Sequence, residues 1–253
     1  VVQVVFLRSL AVFLACLVLG RRALIERAAA TPLKGALLFR GLLTLCAWLC
    51  FFNAARSLGL AQLLCLYFAA PLIVTVLAVP LLDERVTAGR WVAVLVGFGG
   101  VLVATDPWGV PFSLPAALVL LAASLWGYGV ILMRQIARQE GSLLQIASLN
   151  AVFLVGSGIG CALSWRAPDA RQWGLLLAVA LFGGFGQFSL FEAARRAPAA
   201  VLATAEYSAL LWAFGLGYLI WGDIPSAAVF AGGALILLAG LFLVAVEQRA
   251  ARH

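Results

Sequence analysis

The sequence predicts an all-α, polytopic membrane helical bundle. Three observations carry that prediction: bulk hydrophobicity, the sorting of charge into short gaps, and an internal repeat offset by 139–140 residues. Of the 253 residues, 65% are hydrophobic and 11% are charged, with a mean hydropathy of +1.10. Soluble domains run at roughly 45–50% apolar and about 25% charged, so these residues are too poor in charge to coat a water-facing surface. Lipid accepts such a surface, provided the backbone polar groups are satisfied internally. A membrane β-barrel would show alternation of apolar and polar residues in segments of about ten, and that pattern is absent.

Nine apolar segments follow in order: Val2–Gly20, Ala36–Ala55, Leu63–Leu82, Trp91–Thr105, Leu114–Met133, Leu143–Trp165, Trp173–Ala193, Val201–Trp221 and Ala228–Val246. A bilayer core takes about 20 residues of helix, within roughly 17–25. All but Trp91–Thr105 meet that length, and it does so only if its flanks are helical. The breaks fall on helix-stopping residues, at Asp106-Pro107-Trp108-Gly109, Ala167-Pro168-Asp169, Arg196-Ala197-Pro198 and Asp223-Ile224-Pro225.

The basic residues give an orientation. One set of alternate connections carries Arg21, Arg22, Arg27, Lys34 and Arg40, then Arg85 and Arg90, Arg134 and Arg138, Arg195 and Arg196, and finally Arg249 and Arg252. The opposite set carries Arg56, Arg166 and Arg171. The rich side is expected to be cytoplasmic, which places the C-terminus inside. Trp108, Trp165, Trp173 and Trp221 fall at the poor-side boundary, as an outer aromatic belt would. Nine spans then leave residue 1 outside. The sequence also opens at the edge of an apolar run without an initiator Met. Both points predict a further helix ahead of residue 1.

Ala54-Ala55-Arg56, a span, Leu82-Asp83-Glu84-Arg85 and the glycine-rich Gly97-Phe98-Gly99-Gly100 form one block. Ala193-Ala194-Arg195, a span, Gly222-Asp223-Ile224-Pro225 and Gly232-Gly233 through Gly240 form its counterpart. The Asp83-Glu84 turn falls on the basic side and the Asp223 turn on the other, so the halves, 1–107 and 112–248, are predicted to be inverted repeats. Inverted repeats are a transporter architecture, with the substrate path at their interface. A duplication would also be compatible with a structural membrane subunit, and a membrane-embedded lipid-modifying enzyme is a further alternative.

The order of several short motifs resembles the drug/metabolite transporter superfamily, and within it the EamA-type members. The carriers are Phe6-Leu7-Arg8-Ser9, Asn53-Ala54-Ala55-Arg56, Tyr67-Phe68-Ala69-Ala70-Pro71-Leu72 and Leu82-Asp83-Glu84-Arg85 in the first half. In the second half they are Leu125-Trp126-Gly127-Tyr128 and Ala205-Glu206-Tyr207-Ser208-Ala209-Leu210-Leu211-Trp212-Ala213. They are similar to the branch labelled S-adenosylmethionine uptake-like. The resemblance implies two repeats of five helices, of which the first helix is missing here, and a central cavity lined from both repeats. It also implies secondary transport of a small organic metabolite, amino-acid- or nucleoside-like and possibly S-adenosylmethionine, across a bacterial inner membrane. One departure is Ala205, where related sequences often have proline before the Glu-Tyr pair.

Polar and aromatic residues inside apolar spans are the candidate substrate contacts. Glu206 lies about eight residues, or roughly 12 Å of helix, beyond Pro198, and a carboxylate at that depth is neutral, paired or facing water. It is a candidate for a cationic substrate or a coupling proton; the alternative is a structural hydrogen bond between helices. Tyr67 occupies the repeat-equivalent position, and with Tyr207, Trp212, Trp126 and Tyr128 it offers aromatic faces for a planar or cationic ligand. Packing alone would account for the same aromatics. Arg8 suits a substrate carboxylate or a snorkelling role, and Asn53, Asn150 and Gln187 suit either a ligand or interhelical hydrogen bonds. Glu192, beside Arg195 and Arg196, is expected to form a solvated ion pair.

Other chemistry is unsupported. The five cysteines form no CxxC pair and His253 is the only histidine, so no metal site or cofactor is expected, nor any catalytic residue. The glycine strings sit within apolar spans without a preceding strand or a following Lys-Ser/Thr, which excludes a phosphate-binding loop. The +7 net charge follows membrane topology and not nucleic acid. Coupling is expected to come from an ion, such as a proton, or from a counter-substrate, and a homodimer is left open.

Overall fold

Local chemistry at the helix ends sets the architecture. The computed structural model describes residues 2–58, 60–82, 87–105, 113–165, 167–197, 212, 215–216, 218–220, 222 and 226–250. Among the described residues, nine α-helices follow in order: α1 (Val2–Ala30), α2 (Lys34–Ala54), α3 (Leu60–Tyr67), α4 (Ala70–Leu82), α5 (Ala88–Thr105), α6 (Leu114–Ala137), α7 (Ser142–Leu163), α8 (Ala170–Arg196) and α9 (Ala227–Ala250). No strand occurs among them. Of these, α1, α2, α6, α7 and α8 are long and apolar enough to cross a membrane, while α5 and α9 contain shorter apolar stretches. The predicted span Val201–Trp221 lies largely outside the described residues.

Helix starts are capped as their sequences dictate. Ser113 Oγ accepts the Ala116 N–H at 3.3 Å ahead of α6, and Ser226 Oγ accepts the Val229 N–H at 3.3 Å ahead of α9. At α8 the Asp169–Gln172 pair forms a reciprocal capping box. Asp169 Oδ1 accepts the Gln172 N–H at 2.8 Å, and the Asp169 N–H donates to Gln172 Oε1 at 3.1 Å.

One predicted boundary is extended and another is corrected. The first span, Val2–Gly20, ends where predicted, since helical geometry breaks at Arg21 (φ 47°, ψ −142°), but a second helical run carries α1 on to Ala30. The run Ala23–Ala30 is rich in strong helix formers, which outweighs the strain of a positive φ at a non-glycine residue. The predicted span Leu63–Leu82 is two helices, because Pro71 cannot donate to the Tyr67 carbonyl and its ring clashes there. The chain turns tightly instead, with the Ala69 N–H bonded to the Leu66 carbonyl at 3.1 Å.

The chain divides into two compact units, each drawing on both halves of the sequence. Unit 1 comprises Val1–Leu45 with Leu132–Arg196, and unit 2 comprises Cys46–Ile131 with Ala197–His253. The most extensive packing in unit 1 joins α1 to α7, and in unit 2 it joins α5 to α9. The α5–α9 pair joins helices that start 139 residues apart, at Ala88 and Ala227. At Gly100 an added Cβ would lie 2.7 Å from the Gly232 carbonyl oxygen, so α5 and α9 meet backbone to backbone.

Outward faces are apolar. Leu163 is 84% exposed, Phe182 79% and Val155 77%, a surface that water would penalise by about 25 cal/mol per Å² and that lipid does not. The interior of unit 1, by contrast, holds Arg8, Ser9, Arg40, Gln145 and Asn150, all buried.

Candidate functional site

Unit 2 contains a cavity of about 210 Å³ lined by Ala47, Trp48, Phe51, Phe52, Leu64, Tyr67 and Trp126. Three helices build it. On α2, Trp48, Phe51 and Phe52 stand at i, i+3 and i+4, the spacing that places side chains on one helix face. Their rings pack at an angle: Trp48 and Phe52 are tilted at 60° with centroids 5.3 Å apart, and Phe51 and Phe52 are edge-on at 88° and 5.6 Å. Tyr67 is the last residue of α3, where Pro71 stops the helix, and it meets Phe51 edge-on at 5.1 Å and 73°. Tyr67 also rests on the buried cluster of Ala54, Leu63, Leu66 and Val119, which fixes the end of α3.

Trp126 enters from α6, and its neighbour Gly127 sets how closely α6 approaches. A Cβ at Gly127 would lie 3.2 Å from Ile73 Cγ2 and 3.5 Å from the Ala70 carbonyl oxygen, so a larger residue would push α6 away from α4. The Trp126 Nε1–H is buried and finds no acceptor among the described residues. Leaving such a donor unpaired costs about 1–3 kcal/mol. The aromatic edges and faces of the lining suit a planar conjugated ring. The volume lies below the roughly 300–1,000 Å³ of ligand pockets, which fits one ring system with the rest of the molecule outside it.

Of the sequence-predicted contacts, Tyr67 and Trp126 therefore line one cavity. Tyr128 is on α6 but does not line it. Trp212 is 70% exposed, and Asn53 is exposed near the end of α2, its carbonyl accepting the Arg56 N–H at 3.2 Å. Arg8 belongs to unit 1, where a Cβ at Gly183 would lie 3.0 Å from its Nε. Gln187 is also in unit 1, and its Oε1 accepts the Asn150 amide at 3.1 Å, an interhelical bond between α7 and α8. Glu206 and Tyr207 lie outside the described residues. Sequence reasoning missed Trp48, Phe51 and Phe52, although their i, i+3, i+4 spacing just ahead of Asn53 was a readable signal.

The other polar centre lies at the basic end of unit 1. Glu140, in the α6–α7 connection, is 2% exposed. It accepts from Arg27 Nε at 2.8 Å and from Thr31 Oγ1 at 2.5 Å. Arg27 also donates to the Gln139 carbonyl at 3.2 Å. Burial pushes the Glu140 carboxyl up, but the hydrogen bonds from Arg27 and Thr31 and the Arg27 charge outweigh it and hold it below its ordinary value. Nearby, Glu192 pairs with Arg195 and Arg196 at 3.1 Å each, and it also accepts from Ser142 Oγ at 2.5 Å, tying α8 to α7. Arg40, buried on α2, lies 4.5 Å over the Phe191 ring, a cation–π contact.

An all-helical bundle with lipid-facing apolar surfaces and an aromatic cavity defines an integral membrane protein that handles small molecules. The chain belongs to the EamA-like transporter family, whose profile matches residues 1–105 and 113–246; it is a transporter and not an enzyme. It is similar to the pseudopaline exporter of Pseudomonas aeruginosa strain UCBPP-PA14, at 28% identity over 82% of this chain and 74% of that one. It is also similar to the riboflavin transporter of Vibrio cholerae, at 24% identity over 76% of this chain and 65% of that one. The S-adenosylmethionine uptake transporter of Rickettsia prowazekii is 27% identical over 72% of this chain and 62% of that one. A solved crystal structure superposes with a TM-score of 0.76 over 98% of this chain and 88% of that one, at 17% identity. At that identity it shows the fold alone.

Proposed function

We propose that the protein is a secondary carrier that moves a small organic metabolite bearing a planar conjugated ring across a bacterial inner membrane by alternating access. The observation that carries this reading is the unit 2 cavity, where four aromatic residues from α2 and α3 meet Trp126 of α6. Riboflavin and S-adenosylmethionine, named for two of the similar transporters, each contain a fused nitrogen heterocycle with acceptor atoms at its edge. Such a ring stacks on aromatic faces and takes a hydrogen bond from an indole. The ring class is thus better supported than any single substrate.

The inverted arrangement of residues 1–107 and 112–248 and the cytoplasmic C-terminus belong to the same reading, supported by the repeat and by the placement of basic residues. Glu206 is the group assigned to a coupling proton or a cationic part of the substrate.

A binding panel on the purified chain tests the reading. Riboflavin, S-adenosylmethionine and adenosine should quench tryptophan fluorescence and raise the unfolding temperature, while an aliphatic amine of similar charge should do neither. Equal responses to aliphatic and aromatic compounds would remove the basis for a ring site.

A further inference from the structure

We propose that unit 1 carries a binding site for an anionic phospholipid, in the groove between the end of α1, the start of α2 and the first turns of α7. This groove has a volume of about 240 Å³ and is separate from the aromatic cavity, so the inference stands without the substrate reading.

Its walls are apolar and its mouth is cationic. Leu37 and Leu38 of α2 face Leu144, Ala151 and Val152 of α7 across it, and Lys34 stands at the entrance with Thr31. From Leu144 to Val152 the groove follows about 12 Å of helix, most of one leaflet of a hydrocarbon core roughly 30 Å thick. Its deep end is shut where α2 and α7 converge. A Cβ at Gly41 would lie 2.7 Å from Val152 Cγ2, and Gly156 leaves no room for one against Leu45. The groove is therefore a blind slot that opens toward the basic end, and not a seam running the length of the helices.

Its side is open to the bilayer. Leu38, a lining residue, is 54% exposed, and its neighbours Phe39 and Leu42 are 50% and 48% exposed. An occupant thus enters from lipid, and an acyl chain fits the slot. The head group is selected by charge. Lys34 is exposed and has no ion-pair partner among the described residues. Glu140, which bonds the lining residue Thr31, is also committed to Arg27. Residues 21–34 hold Arg21, Arg22, Arg27 and Lys34 against Glu26. Lys34 also opens α2, whose first-turn N–H groups favour an anion. At Gly35 an added Cβ would meet nothing within 4 Å, so there is space beside the lysine for a phosphate. Basic pockets between membrane helices at such an interface take anionic lipid head groups.

The test uses the full chain in detergent, with phosphatidylglycerol, phosphatidylcholine of the same acyl chains, and inorganic phosphate as separate additions. Native mass spectrometry counts retained lipid and a thermal melt reads stabilisation. Phosphatidylglycerol should be retained and should raise the unfolding temperature; phosphatidylcholine and phosphate should not. Lys34→Gln should weaken phosphatidylglycerol about five-fold, the value of one basic residue at a membrane surface, and Lys34→Arg should restore it. Ala151→Phe keeps every charge but fills the slot, and it should abolish retention. Equal retention of the two lipids would overturn the proposal, as would unchanged phosphatidylglycerol binding by Lys34→Gln and Ala151→Phe. Stabilisation by phosphate alone would reduce the site to a simple anion contact and overturn it equally.

Discussion

The two units solve the same problem, holding helices together in lipid, with different chemistry. In unit 1 the ties between elements include polar side chains: Glu140 with Arg27 and Thr31, Glu192 with Ser142, Asn150 with Gln187, and Arg40 over Phe191. In unit 2 the described packing is close backbone approach at Gly100 and Gly127 and a set of tilted and edge-on aromatic rings. Since lipid tails are as apolar as leucine, helices in a membrane gain from tight packing and interhelical hydrogen bonds and not from hydrophobic exclusion. Unit 1 ties many of its polar groups to each other, although Ser9 Oγ and Gln145 Oε1 are buried there without a partner among the described residues. In unit 2 the unpartnered Trp126 indole belongs to a residue that lines a cavity. The difference lies in what surrounds the unpartnered groups: packed helices in unit 1, an aromatic cavity in unit 2.

The largest expected effect sharpens that contrast at Trp126. Trp126→Phe keeps a ring and removes the donor, so it should weaken binding of a heteroaromatic ligand ten-fold or more, about 1.4 kcal/mol. It should leave the unliganded protein as stable as before or more so, because a buried unpaired group is removed. Titration by tryptophan quenching and a thermal melt read the two effects side by side. A loss of stability equal to the loss of binding would mean that the indole is structural.

Unit 1 should respond in the opposite sense. Glu140→Ala should cost about 2 kcal/mol of stability, less than the roughly 3–5 kcal/mol for breaking a fully buried ion pair, because Arg27 is half exposed and can hydrate. The sign with pH follows from the depressed carboxyl. The contribution of Glu140 is complete above the unfolded carboxylate value near 4.3 and is lost as pH falls through the lower folded value. Melts of the parent should therefore show an acid-side decline that Glu140→Gln flattens.

Two smaller effects follow. Gly100→Ala should destabilise more than Gly41→Ala. At Gly100 the new methyl meets the Gly232 backbone oxygen and the Ile236 backbone nitrogen, whereas at Gly41 it meets the Val152 side chain, which has more freedom to move. Overpacking costs about 1–3 kcal/mol, and the difference in unfolding temperature between the variants measures it. Smallest is the Asn150–Gln187 bond, where a double-mutant cycle should return about 0.6 kcal/mol.

Much of this was legible in the sequence. Composition and charge gave the membrane bundle. Tyr67 and Trp126, singled out as aromatics within apolar spans, line one cavity. The break at Tyr67 was missed because hydropathy is blind to a missing N–H, and only the i−4 geometry of Pro71 reveals it. Glu140 was missed because a lone acid in a short connection reads as solvated; its burial depends on Arg27 and Thr31, more than 100 residues away. Gln187 was open between a ligand contact and an interhelical hydrogen bond, and the structure shows its bond to Asn150.

The central claim is that the aromatic cavity carries a substrate ring. Flux into proteoliposomes, with riboflavin and S-adenosylmethionine set against an aliphatic amine, tests it most directly when the parent and Trp126→Phe are run in parallel. The account predicts saturable flux of at least one heteroaromatic compound, reduced ten-fold or more by the substitution, and no flux of the amine. Flux of the aliphatic compound at the same rate, unchanged by Trp126→Phe, would contradict it.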